Sequence, residues 1–189
     1  KEMAFNKYES KDVFKFEQNY VINSEGRLNF ICNIISRVRG NSLVLFHRIE
    51  HGQRVYEKLR QESDKTVYYV DGGTDKDVRE EYKKKMEAGE EIVIVASYGT
   101  FSTGISIKKI HNIFFTESFK SEVIIRQSIG RGLRQHASKD RVTIIDFVDD
   151  ISSPDWDNYL IRHAKARQAI YKEQKFEYDI KKVKFDGDI

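Results

Sequence analysis

Five short runs of aliphatic, β-branched and aromatic residues recur along the chain: LVLF (43–46), TVYYV (66–70), EIVIVAS (91–97), NIFFTE (112–117) and RVTIIDFV (141–148). A strand with one wet face would alternate apolar and polar positions. These runs do not, and so they read as strands covered on both faces. Segments with helical spacing lie between them. GRLNFICNIISRV sets Leu28, Ile31, Ile34, Ile35 and Val38 on one face. EHGQRVYEKLRQ, DKDVREEYKKKMEAG and SEVIIRQSIGRGL follow, the second of these three closed by Gly89 as a helix C-cap. Strands alternating with helices imply an α/β domain with a mainly parallel central sheet and crossover helices.

The flanks are less regular. Asp12–Ile22 is expected to be an extended lead-in. Pro154–Lys175 predicts a C-terminal helix capped by Ser153 or Asp155. Trp156, Tyr159, Leu160, His163 and Arg167 follow roughly helical spacing there, with Lys and Arg expected to face outward. The final KFEYDIKKVKF reads as a strand or a frayed tail. The expected division is a linker over 1–22, a core domain over 23–152 and a helical extension with tail over 153–189.

A chain of 189 residues fits one domain. It is 39% hydrophobic and 33% charged, the composition of a soluble globular chain, and its net charge of +3 permits a polyanionic partner without requiring one. The single cysteine, Cys32, excludes an internal disulfide, fits a reducing compartment and sits on the apolar side of its helix, where it packs. No apolar run is long enough to span a membrane, and no signal-peptide pattern opens the chain, which begins without Met and reads as part of a longer protein.

Ligands of open parallel sheets bind beyond the C-terminal ends of the strands. The segments that follow the runs here are HRIEH, DGGTDKD, YGTFSTGIS and SFKSE. Glycine-rich loops and helix N-termini present N–H groups to phosphate. Turn chemistry accounts for any one of these loops, but the set on one edge favours a phosphate-rich ligand. HRIEH also matches the pattern of inverted zinc proteases. His47 directly follows a buried strand, however, so His47 and His51 do not share a helical face and no metal site is expected. His47 and Arg48 are candidates for a nucleic-acid backbone instead. No G-x-x-x-x-G-K-[ST] occurs, so the chain has no P-loop for a nucleotide's β- and γ-phosphates.

QSIGRGLRQ (127–135) places Arg131 and Arg134 one helical turn apart, on one face, at the cost of two glycines. Each glycine weakens a helix by about 1 kcal/mol relative to alanine. Q-x-x-G-R-x-x-R, with VIVASYGTFSTGISI upstream and LVLFHRIEHGQRVYEKL before it, resembles motifs VI, V and IV of superfamily 2 helicases, in order and spacing, over residues 43–148. DGGTDKDVREEYKKKMEAGE resembles the segment between motifs IV and V. The resemblance implies a three-layer RecA-like domain of the P-loop NTPase type, the second of two that enclose ATP and Mg²⁺, both held mainly by an N-terminal helicase domain of the same polypeptide. It implies that Arg134 is the arginine finger and Arg131 its companion, with Gln127 orienting them or bridging to the facing domain and Gly130 allowing close approach. Gly104 and Ser106 map to the nucleotide side, although many relatives carry Asp where Ser106 stands. Ser97, Thr100, Thr103, Gly73 and Thr74 map to backbone phosphates of DNA. The likeness extends to bacteriophage recombination helicases, which implies branched DNA substrates and the host cytoplasm, and no membrane. The competing expectations are a translocase subunit of a restriction or remodelling enzyme and a non-catalytic nucleic-acid-binding module. Without a P-loop, the chain alone is expected to be inactive.

Overall fold

The computed structural model describes residues 10–104, 107–119, 126, 141–154 and 156–184, excepting the side chains at 10–11 and 102–104. The elements in chain order are α1 (Ser10–Ile22), α2 (Glu25–Arg37), β1 (Ser42–Phe46), α3 (Ile49–Glu62), β2 (Thr66–Val70), α4 (Lys76–Ala88), β3 (Ile92–Ser97), α5 (Tyr98–Gly104), β4 (Asn112–Phe115), β5 (Thr143–Asp146) and α6 (Tyr159–Glu173). Each apolar run is a strand, and the strands form one sheet in the order β2-β3-β1-β4-β5. Every pairing is parallel. β1 lies between β3 (Ser42 opposite Val93) and β4 (Ser42 opposite Asn112), while β2 and β5 form the borders. All five C-terminal ends therefore open on the same edge.

The two faces of the sheet bury different residues, as the period of two requires. Val44, Phe46, Val93, Val95 and Phe114 pack under Leu28, Ile31, Cys32 and Ile35 of α2 and Val55 and Leu59 of α3. Leu43, Leu45, Ile94, Ile113 and Phe115 pack under Met86 of α4, Tyr98 and Phe101 of α5, and Ile170 and Tyr171 of α6. The fold is thus the three-layer α/β sandwich expected. The expectation that every strand is covered on both faces holds for β1 and β4, and for β3 up to Ala96, but not for the border strands β2 and β5, whose residues are mostly half-buried. A border strand lacks a neighbour on one side.

Gly52 lets α3 settle on the sheet: a Cβ there would stand 2.5 Å from the Phe46 ring. Gly89 occupies the C-cap of α4 with φ −95, and its N–H donates to Lys85 O. A Cβ at Gly89 would meet Ile92 Cδ1 at 2.6 Å, so close approach rather than a left-handed turn calls for glycine.

Three expectations at the flanks are corrected. Asp12–Ile22 is helical rather than extended, because Val13, Glu17 and Val21 at i, i+4 spacing form a buried stripe. Val21 and Ile22 pack against Leu160 of α6. The C-terminal helix begins at Tyr159 with Asn158 as N-cap, not Ser153 or Asp155, and Trp156 precedes it in a bridge with Ser153. Arg167 does not face outward: it is 0% exposed. Residues 176–184 form no strand.

Candidate functional site

The C-terminal edge gathers the described candidates. His47 and Arg48 follow β1, Gly73 and Thr74 follow β2, and Ser97 ends β3, with Thr100, Thr103 and Gly104 in α5 directly behind it. Ser106, Gln127, Gly130, Arg131 and Arg134 lie outside the described residues. Because β1, β3 and β4 are neighbours, the His47–Arg48 turn, Ser97 and the Thr116–Phe119 stretch stand side by side.

Each loop has a definite internal order. The backbone N–H groups of His47 and Arg48 both donate to Glu117 Oε1, at 2.9 and 3.0 Å. Glu117 thereby braces the chain at the entrance to α3, where a negative charge is favoured by the helix dipole. Its side chain is buried, and burial raises its pKa above the ordinary value against those two N–H donors. The Arg48 guanidinium reaches Asn19 of α1, and the His47 ring is exposed. In the turn after β2, the Gly73 N–H donates to Asp71 Oδ1 at 2.9 Å and the Thr74 N–H to Asp71 O at 3.2 Å, while the Asp71 N–H donates to Thr74 Oγ1 at 3.0 Å. Both amides expected to meet a phosphate are therefore engaged within the turn. Asp75 caps α4 by accepting from the Asp77 N–H. Ser97 Oγ accepts from the Thr100 N–H and lies 2.8 Å from Thr100 Oγ1, so it caps α5, and Thr100 is buried. His51, paired with His47 in the HRIEH pattern, points into the core, away from the exposed His47 ring.

Sequence reasoning missed the groups that hold this edge together. Arg27 of α2 grips Asp149 through Nε and Nη2, at 2.6 and 2.8 Å, and donates from Nη2 to Thr116 O at 2.8 Å. Arg167 of α6 grips Asp146 through Nε and Nη2, at 2.8 and 2.9 Å, and donates from Nη1 to Phe119 O at 2.9 Å. From opposite faces of the sheet, two buried arginines tie the exit of β4 to the exit of β5. Bidentate Arg–carboxylate pairs of this kind fix geometry as well as charge. A third group, Glu17 of α1, is buried and accepts from the Leu160 N–H at the start of α6. The sequence held a signal for Asp146 and Glu117, since a carboxylate at the end of a buried strand needs a partner. It held none for which arginine would supply it.

A parallel α/β sandwich of order β2-β3-β1-β4-β5 with its loops on one edge is the architecture of a helicase motor domain. Residues 26–136 match the family described as helicase conserved C-terminal domain, and the chain belongs to it. It is 39% identical over 153 residues to the ATP-dependent DNA helicase uvsW of Enterobacteria phage T4, an alignment covering 76% of this chain and 30% of that protein. It is 35% identical over 91 residues to the putative ATP-dependent helicase IRC3 of Saccharomyces cerevisiae, covering 48% of this chain and 13% of that protein. Among solved structures, T4 UvsW superposes with a TM-score of 0.75 at 34% identity, over 92% of this chain and 38% of that one. The C-terminal domain of the DEAD-box protein Dbp5 superposes at 0.61 with 16% identity, over 80% of each chain, a likeness of fold. The chain thus spans about a third or less of the helicases it matches in sequence. No helix among the described residues is long and apolar enough to cross a membrane.

Proposed function

We propose that the chain is the second motor domain of an ATP-dependent DNA helicase or translocase that acts on branched DNA. Its tasks would be fork regression, branch migration, unwinding of R- and D-loops and strand annealing, in recombination, repair and replication. One observation carries this reading: the described candidates for backbone contact all stand on a single sheet edge, in a chain of the helicase C-terminal domain family. The similarity to a phage helicase supports a place in the bacterial host cytoplasm. Within this proposal residues 23–152 carry the helicase motifs, with α6 packed on their sheet and α1 packed on α6.

The donor set suits a triphosphate. Arg131 and Arg134 offer planar forks that match phosphate oxygens bidentately, and Gln127, Gly130, Gly104 and Ser106 add no negative charge to oppose them. ATP and Mg²⁺, held mainly by the N-terminal helicase domain, supply the phosphoanhydride bond and the metal charge. This chain's part is to bring two guanidinium groups to the developing negative charge, with Arg134 as the finger. Phosphoryl transfer gains mainly from such positioning and charge stabilisation. His47, Arg48 and Thr103 would hold backbone phosphates, while Gly73, Thr74, Ser97 and Thr100, engaged within their own loops, would shape the edge; DNA would bind without regard to sequence and less tightly as salt rises.

The test is DNA-stimulated ATPase activity of the intact parent protein, wild type against Arg134→Ala. An arginine finger is worth about 10³–10⁵ in rate. A fall of that order with DNA binding retained supports the motor. Turnover near wild type removes the finger and leaves a nucleic-acid-binding module as the better reading.

A further inference from the structure

Helix α6 lies beyond residue 136, where the match to the family ends. It is nevertheless joined to two described residues that precede the candidate arginines in the chain, Phe119 and Arg126. Arg167 donates from Nη1 to the carbonyl of Phe119, the last described residue before the 120–140 segment. The Arg167 guanidinium also stands 5.2 Å from the centroid of the Phe119 ring. Its other two nitrogens, Nε and Nη2, both donate to Asp146, and the Tyr171 hydroxyl donates to the same carboxylate at 3.0 Å. Six residues further along α6, Glu173 accepts from Arg126 Nη2 at 2.8 Å. Arg126 immediately precedes Gln127, and Arg131 and Arg134 follow. α6 advances about 9 Å between Arg167 and Glu173, at about 1.5 Å per residue. Two points of one rigid helix thus hold the chain before Gln127: where it leaves β4, and at Arg126.

We propose that Arg167 and Glu173 of α6 are positioning residues for the ATPase reaction, acting through Phe119 and Arg126, the described residues that precede Gln127 in the chain. This rests on the assignment of Arg134 as the finger. Neither residue touches the reacting atoms. Arg167 fixes the departure point from inside the core, and Glu173 fixes the approach to Gln127 from the surface. Such tethering matters because a misplacement of about 1 Å in a group meant for a transition state costs about 10²-fold in rate. α6 is itself anchored at its N-terminal end, where the Leu160 N–H donates to the buried Glu17 and Leu160 packs on Val21 and Ile22. The lead-in helix α1 therefore steadies α6.

The experiment uses the intact parent protein and reads kcat and KM for ATP in the DNA-stimulated ATPase reaction, together with DNA affinity and melting temperature. The Arg126–Glu173 pair is partly exposed, at 35% and 62%, so its variants leave the core alone. Glu173→Arg and Arg126→Glu are each expected to lower kcat by about two- to fivefold, the scale of one exposed ion pair. KM, DNA affinity and melting temperature should stay near wild type, and the double reversal should restore kcat. Arg167→Lys, which keeps the charge but loses the fork, should lower kcat more, again with little change in KM. Single reversals with wild-type kcat, or a double reversal no better than the singles, overturn the proposal. A loss of kcat in Glu173→Arg or Arg126→Glu that is matched by a fall in melting temperature also overturns it. Arg134→Ala runs alongside: if that variant turns over like wild type, the finger assignment fails; if only the α6 variants do, the positioning role alone fails.

Discussion

His51 is a titratable group that the fold keeps from its proton. It lies on the inner face of α3, and burial first, then the Arg27 and Arg54 guanidinium groups, push its pKa from 6.5 down to about 3. As pH falls below 6.5 the unfolded chain takes up a proton that the native state refuses. Stability is therefore lost on acidification, by about 1.4 kcal/mol per pH unit, until the folded value is reached. Glu117 acts in the opposite sense. Its folded pKa lies above 4.5, so between 4.5 and that raised value the native state holds the proton more firmly, and stability grows as pH falls through the window. The wild-type curve sums both effects, and His51→Leu isolates one. Urea denaturation at steps between about pH 6 and pH 4 should show the difference between the two proteins changing by about 1.4 kcal/mol per unit, to the disadvantage of wild type on the acid side. A flat difference would mean that the folded protein accommodates the imidazolium.

At the scale of elements, the buried pair between α6 and β5 decides how the C-terminal helix docks. Burial acts against the Arg167 charge, but Asp146 prevails and holds the guanidinium pKa above its ordinary value. Arg167→Met would leave the Asp146 carboxylate, which is 14% exposed, without its guanidinium and with the Tyr171 hydroxyl as donor, and should cost about 3–5 kcal/mol in thermal or chemical denaturation. Adding Asp146→Leu removes the second charge and should recover most of that loss; a double variant no more stable than the single would show that shape rather than charge governs the joint. The sequence concealed this pair for a physical reason. Arg167 shares its helix with Arg162, Lys165 and Lys172 and looks like one more solvated cation, while its partner is 21 residues away on a strand. Helix α1 was concealed in a similar way: Glu17 interrupts the buried stripe of Val13 and Val21, and exposed Phe16 and Tyr20 scatter apolar residues around the helix. β1 to β5 were legible because an unbroken apolar run has few other uses, and the edge that would hold a ligand followed from their parallel order. The engagement of each loop was not legible, since whether the Gly73 amide is free depends on the rotamer of Asp71.

For the whole molecule, the question is whether residues 153–189 form an appendage or part of the domain. The larger core runs without a break from Leu43, Ile94 and Phe115 through Tyr98 and Phe119 to Ile170 and Tyr171 of α6, and a smaller one joins Leu160 to Val21 and Ile22 of α1. Fully burying a large apolar side chain contributes about 1.5–3 kcal/mol. Leu160, Ile170 and Tyr171 together would supply about 5–9 kcal/mol on that scale, against a total stability of about 5–15 kcal/mol for an ordinary domain. A chain ending at residue 152 would lose that burial, expose Phe119, Val21 and Ile22, and leave Asp146 without Arg167. It should retain far-ultraviolet circular dichroism from α2 to β4, lose near-ultraviolet signal, bind ANS and melt without a sharp transition. A truncated chain that instead melts cooperatively near the wild-type temperature would make the C-terminal helix an appendage. It would also remove the structural basis for the positioning role of Arg167 and Glu173, because a helix that the core does not need cannot fix the position of what it touches.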